Sequence, residues 1–213
     1  MFNRSEYKKS ALATLEKNWG TACLLSIVFF IIAGLAEFAG PIVSVCVGGI
    51  MEVGIIFAFM KMISFKSSET MESKKVTFSD FLEGLETHWL NVLLGSLWKF
   101  LWIFLWMLLF IIPGIVKAYS YSMMYYILAE NPKISAIKAM DISKVLTRGH
   151  KADLFIMDLS FLGWAILSSL TFGLGFIWLY PYMEMSKTHA YYDLKRMAFS
   201  QNILSPADFE VVS

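Results

Sequence analysis

Six apolar runs dominate the chain, and together they are too long for a core of this size to bury: Thr21–Phe38, Pro41–Ile63, Trp89–Ile112, Ile115–Glu130, Ala152–Phe172 and Leu174–Tyr192. A helix needs roughly 20 mainly apolar residues to cross the ~30 Å hydrocarbon layer of a bilayer. Ile115–Glu130 is short by that measure, and the others are close to it or above it. Gly40-Pro41, Pro113-Gly114, Asn131-Pro132, and Gly173 with Gly175 break the chain between runs. Pro181 is expected to kink the last one. Of the 213 residues, 57% are hydrophobic and 16% charged, against roughly 45–50% and about 25% in an average globular domain. These features predict an all-α, polytopic membrane helix bundle of about six transmembrane helices. The first run follows a polar helix rather than a short basic leader and lacks a small-residue cleavage site, so it reads as a retained span.

Basic residues orient the spans. Arg4, Lys8, Lys9 and Lys17 precede the first run; Lys61, Lys66, Lys74 and Lys75 follow the second. Lys133, Lys138, Lys144, Arg148 and Lys151 separate the fourth from the fifth, and Lys195 and Arg196 follow the sixth. The opposite turns hold Lys117 alone. By the positive-inside rule both termini and the long loops of this multi-pass chain are expected to be cytoplasmic. The net charge of +1 gives no case for nucleic acid; the expected partner is the lipid bilayer, with a second copy or another membrane protein as further partners.

The hairpins look repeated. Phe78, Phe81, Leu82, Leu85 and Trp89 form one helical stripe, opened by a capping box from Thr77 to Asp80. Leu12, Leu15 and Trp19 form a similar stripe, as do Ile134, Ile137 and Met140 after an N-cap at Asn131 with Pro132 in the first helical position. Leu15-Glu16-Lys17-Asn18-Trp19 parallels Leu85-Glu86-Thr87-His88-Trp89, with Leu146-Thr147-Arg148-Gly149-His150 as a weaker third copy. Gly114 with Tyr119 and Tyr121 parallels Gly175 with Tyr180 and Tyr182. The expected architecture is three hairpins in one orientation (residues 5–63, 77–130 and 133–192), each preceded by a cytoplasmic-side amphipathic helix. A single transmembrane domain, 1–196, is followed by a cytoplasmic tail, 197–213. Chance similarity in an apolar alphabet is the alternative. The short helices lie in the headgroup plane or cap the bundle, and the pattern does not choose between these.

Ile111-Ile112-Pro113-Gly114-Ile115-Val116-Lys117, Tyr119, Tyr121, Ala129-Glu130-Asn131-Pro132, Ser143 through Gly149-His150-Lys151, Leu159 through Trp164, Pro181-Tyr182 and Ala190-Tyr191-Tyr192 stand out as a set. With them the chain resembles the bacterial integral membrane family catalogued as domain of unknown function nine-seven-five, most densely after Trp89. The resemblance implies a multi-pass bacterial membrane protein, without an activity or site residues to carry over.

Charges at bilayer depth are expensive and therefore candidates for function. Glu52 lies roughly 17 Å from the outer end of the second run and Lys99 roughly 15 Å from the inner end of the third, so these two are expected to face each other. Asp158 and Lys187, each roughly 8–10 Å from the cytoplasmic end, form a second expected pair, with Glu184 one turn from Lys187. The functional reading is a polar pathway or proton relay. The other is a set of structural ion pairs that fix helix neighbours, favoured by the absence of an interrupted pair of spans around them.

His88, His150 and His189 fall at similar cytoplasmic levels and are weak metal candidates, because they lack tight ligand spacing. Neither metal nor cofactor is expected. Cys23 and Cys46 read as small apolar residues. Ser160, Ser168, Ser169 and Thr171 are expected to hydrogen-bond between helices, the tyrosines at 119, 121, 125 and 126 to pack and anchor, and Trp98, Trp102 and Trp106 to face lipid or a partner. A phosphate loop and a nucleophile elbow are both missing. The expected function is therefore a non-enzymatic, membrane-organising, accessory or immunity-type protein. The alternatives are a small transporter or permease using the intramembrane charges, and last an intramembrane enzyme.

Overall fold

In the computed structural model the described residues are 2–67, 76–86 and 89–209, and among them all regular structure is helical. The elements are α1 (Arg4–Leu15), α2 (Trp19–Phe38), α3 (Pro41–Ser67), α4 (Phe78–Glu86), α5 (Trp89–Leu109), α6 (Ile111–Ser120), α7 (Met124–Glu130), α8 (Ala136–Leu146), α9 (Lys151–Leu159), α10 (Leu162–Leu170) and α11 (Phe176–Ser200), then a 3₁₀ turn at Pro206–Phe209. Four stretches are long and apolar enough to cross a membrane: Trp19–Phe38, Pro41–Ser64, Trp89–Leu109 and Lys151–Leu170. Much of their apolar surface stays uncovered by protein, with Phe38 93% and Leu108 74% exposed. Side chains like these, clustered on several helices, call for hydrocarbon around them rather than water.

The other two apolar runs take different forms. Ile115–Glu130 is not one helix: α6 stops at Ser120 and α7 starts at Met124. The backbone groups freed by this break are met by α8. The Ser120 carbonyl accepts from Ser143 Oγ at 2.8 Å and from Thr147 Oγ1 at 3.4 Å, and the Met123 N–H donates to Ser143 Oγ at 3.1 Å. An interruption in a packed helical stretch survives when neighbouring side chains satisfy its backbone groups in this way. The last run continues well past Tyr192, since α11 is one helix through Pro181 to Ser200.

The packing runs in a ring. α1 lies on α11, α4 on α3 and α8 on α7; α3 also packs on α5, α6 on α9 and α11 on α2. Glycine allows close contacts among these: a Cβ on Gly84 would sit 3.0 Å from the Gly54 Cα, so α4 and α3 nearly touch backbone to backbone.

Each short helix buries part of its expected stripe and exposes the rest. α1 buries Tyr7, Ala11, Thr14 and Leu15 while Leu12 is exposed; α4 buries Phe81 but exposes Phe78 and Leu82, and Trp89 beyond it is exposed. α8 exposes Ile137 and buries Met140, with Ile134 buried just ahead of it. The expected cap at Asn131-Pro132 is also displaced. Ser135 caps α8 by accepting from the Lys138 N–H, whereas Asn131 closes α7 and donates from Nδ2 to the Phe209 carbonyl at 2.8 Å. The expected tail boundary at 196 falls inside α11. After α11 the chain turns through Asn202, φ 54°, and folds back to bury Phe209 against Phe199.

Candidate functional site

Side chains from α3, α5, α6, α7, α9 and α11 converge on one cavity of about 420 Å³. Glu52, Lys99, Tyr119, Tyr126, Asp158 and Lys187 supply its polar lining; Ile103, Ile115, Leu154 and Met157 are among its apolar lining. The break between α6 and α7 borders it, through Ser122 and Met123.

One half of the cavity holds a direct ion-paired cluster, in which the buried Asp158 Oδ1 makes no hydrogen bond with another described residue. Lys187 Nζ lies 3.4 Å from Glu184 Oε1, one turn back on its own helix, and 3.6 Å from Asp158 Oδ1 across the bundle. Tyr126 donates to Glu184 Oε2 at 2.8 Å, and Tyr119 donates to Asp158 Oδ2 at 3.0 Å. Glu184 is buried, so both of its oxygens need these partners. The two tyrosines therefore do more than pack and anchor. They fall on one face of the α6–α7 stretch, and that seven-residue spacing was the available sequence signal. Farther along α11, Glu130 accepts from Tyr191 and Lys195, both at 2.6 Å.

The other half differs. Glu52 and Lys99 line the same cavity, yet neither makes a hydrogen bond or ion pair with another described residue. The Lys99 ammonium instead lies 3.9 Å over the Tyr125 ring. Helix geometry explains the gap. α3 touches α5 where Gly49 meets Ser96 and the Tyr125 hydroxyl, which donates to Ser96 Oγ at 3.1 Å. α3 and α5 run antiparallel, since the end of α3 and the start of α5 both lie by α4. Glu52 and Lys99 each lie three residues beyond the contact, in opposite axial directions, so their backbones are offset by about 9 Å at ~1.5 Å per residue. Glu52 and Lys99, expected to face each other, line one cavity and attract each other across it without a direct contact.

Other expected contacts are redistributed. His150 interacts with Asp153 at 3.3 Å and stacks on Phe2, while His189 contacts Thr14 Oγ1 at 3.2 Å. His88 lies outside the described residues, and among those described no group of His, Cys, Asp or Glu is placed to hold a metal ion. Ser160, Ser169 and Thr171 bond to backbone carbonyls in their own stretch rather than across helices; Ser168 packs against Gly175. Polar links between helices come instead from Ser96, Tyr125, Ser143 and Thr147. Trp98 is exposed, but Trp102 and Trp106 turn partly inward along a groove shared with Lys117, Tyr121 and Lys144.

Residues 101–198 match the family model described as "Protein of unknown function (DUF975)". This segment is similar to that family. It begins inside α5, ends inside α11, and takes in Tyr119, Tyr126, Asp158, Glu184 and Lys187, whereas Glu52 and Lys99 lie ahead of it. No curated protein and no solved structure matches the chain.

Proposed function

We propose that the chain is a multi-pass protein of a bacterial cytoplasmic membrane that carries a small polar solute through its central cavity. The observation behind this is the convergence of Glu52, Lys99, Asp158 and Lys187, from four helices, on one space beside an interrupted helix. Ionisable groups gathered in a membrane-spanning bundle are a functional signal, and broken helices at cavities are a recurrent feature of transporters. In this reading α2, α3, α5, α6–α7, α9–α10 and α11 are six spans in three hairpins. Both termini and the short helices α1, α4 and α8 are cytoplasmic. The ring of contacts and the distribution of lysines support that arrangement. The reading assigns no bond-making step to any residue.

The test is reconstitution into liposomes on a solid-supported membrane, with concentration jumps across a panel of amino acids, organic acids and inorganic cations. A solute-dependent current, lost in Glu52→Gln and Lys99→Gln, is expected. Silence across the panel favours the second reading, a membrane-organising or accessory protein. The exposed apolar edges at Leu12, Phe78, Leu82 and Ile137 on the short helices fit that reading.

A further inference from the structure

We infer that the ligand of this cavity is a small zwitterion with an aliphatic body, of the class of free neutral α-amino acids, its ammonium taken by Glu52 and its carboxylate by Lys99. The inference rests on the reading of the cavity as a solute site and names the solute.

The argument is one of elimination among the charges. Lys187 is held by Glu184 and Asp158, Glu184 by Tyr126, and Asp158 by Tyr119. These charges form a direct ion-paired cluster, in which the buried Asp158 Oδ1 makes no hydrogen bond with another described residue. Glu52 and Lys99 remain, opposite in sign, on the wall of the same space, attracting each other across it without a direct hydrogen bond or ion pair. Two charges withdrawn from water and left unpaired are costly. A lone cation or anion would satisfy one and leave the other, and would add net charge to the interior of the bundle. A molecule carrying both charges on adjoining atoms satisfies both and adds none.

The space fits such a molecule. About 420 Å³ is within the ~300–1,000 Å³ typical of small-ligand sites. Ile103, Ile115, Leu154 and Met157 offer an apolar wall for an aliphatic side chain.

The test uses the full chain purified in detergent, with unfolding temperature and calorimetric binding measured for L-leucine, leucinamide (ammonium only) and N-acetyl-leucine (carboxylate only). L-leucine is expected to raise the unfolding temperature and to bind at least tenfold more tightly than either half-charged analogue, because each analogue leaves one buried charge unpaired. Glu52→Gln should shift preference toward N-acetyl-leucine, and Lys99→Gln toward leucinamide. This crossed change in specificity is one that a purely structural role for the two residues would not produce. The wild-type panel needs no variant to fold. Equal affinity for all three ligands, binding of none of the neutral amino acids, or unchanged preference in both variants would overturn the inference. A solute current with inorganic cations but no leucine binding would refute the zwitterion while leaving transport standing. Leucine binding without current would uphold the site and refute transport.

Discussion

Asp158, Glu184 and Lys187 form a closed cluster, whereas Glu52 and Lys99, lining the same cavity, stay apart. Helix geometry accounts for both outcomes. Glu184 and Lys187 are three residues apart on one helix, a spacing that brings side chains together, and Asp158 reaches them from the facing helix with Tyr119 steadying its other oxygen. Glu52 and Lys99 sit on antiparallel helices, displaced in opposite directions from the point where those helices touch. Similar depth, estimated from sequence, therefore did not translate into contact. One half of the cavity acts as a brace between helices, and the other presents charge to whatever enters.

Removing charge from the two halves should separate them most strongly. Lys187→Met leaves buried Glu184 and neighbouring Asp158 uncompensated and should cost about 3–5 kcal/mol of unfolding free energy in detergent, as breaking a buried pair does. Lys99→Met removes a charge that makes no direct ion pair and attracts Glu52 only across the cavity, and should cost under about 1 kcal/mol. Equal losses for the two would abolish the distinction between brace and open site. Next in size is Tyr126→Phe, which deprives a buried carboxylate of its hydroxyl donor and should cost about 1.5–3 kcal/mol by denaturant unfolding. Tyr125→Phe, whose hydroxyl meets only the neutral Ser96, should cost about 0.5–1.5 kcal/mol.

Gly49→Ala tests the contact between the two helices that carry the open pair. A Cβ there would fall 2.9 Å from the Ser96 Cβ and closer still to its hydroxyl, so α3 and α5 must separate, at about 1–3 kcal/mol. The same variant should alter ligand preference at Glu52 and Lys99 but leave the Lys187 cluster intact. A loss of stability with unchanged preference would show that this contact does not position the two charges.

The smallest effect is expected outside the spans. Asp80 pairs with Lys61 at 2.9 Å and accepts from the Thr77 N–H at 2.8 Å. Burial pushes its carboxyl up, but the Thr77 bonds and Lys61 outweigh that and hold it below its ordinary 3.8. Its contribution is thus complete above the ordinary value and fades as pH falls through the lowered one. Asp80→Asn should cost about 0.2–1 kcal/mol at neutral pH and progressively less in acid, read as unfolding temperature against pH.

The capping of α4 illustrates what was legible beforehand. Thr77 and Asp80 interact within four residues of chain, so their pattern is visible in the letters alone, as is the i,i+3 spacing of Glu184 and Lys187. The interruption at Tyr121–Met123 was not legible. Tyr121-Ser122-Met123 contains neither Gly nor Pro, and the break persists because Ser143 and Thr147, more than twenty residues away, bond to its exposed backbone groups. The same holds for Phe209, whose burial depends on Asn131 and Phe199 rather than on its neighbours in the tail.

Length and hydropathy, which are sums over contiguous residues, determined that the protein is helical and has several stretches able to cross a bilayer. Which charges meet, which edge of each short helix is buried and where a span breaks were decided by the tertiary structure. Those outcomes depend on the angle and axial offset between helices distant in sequence, and a shift of a few residues along a helix axis is enough to separate two charges that lie at the same nominal depth.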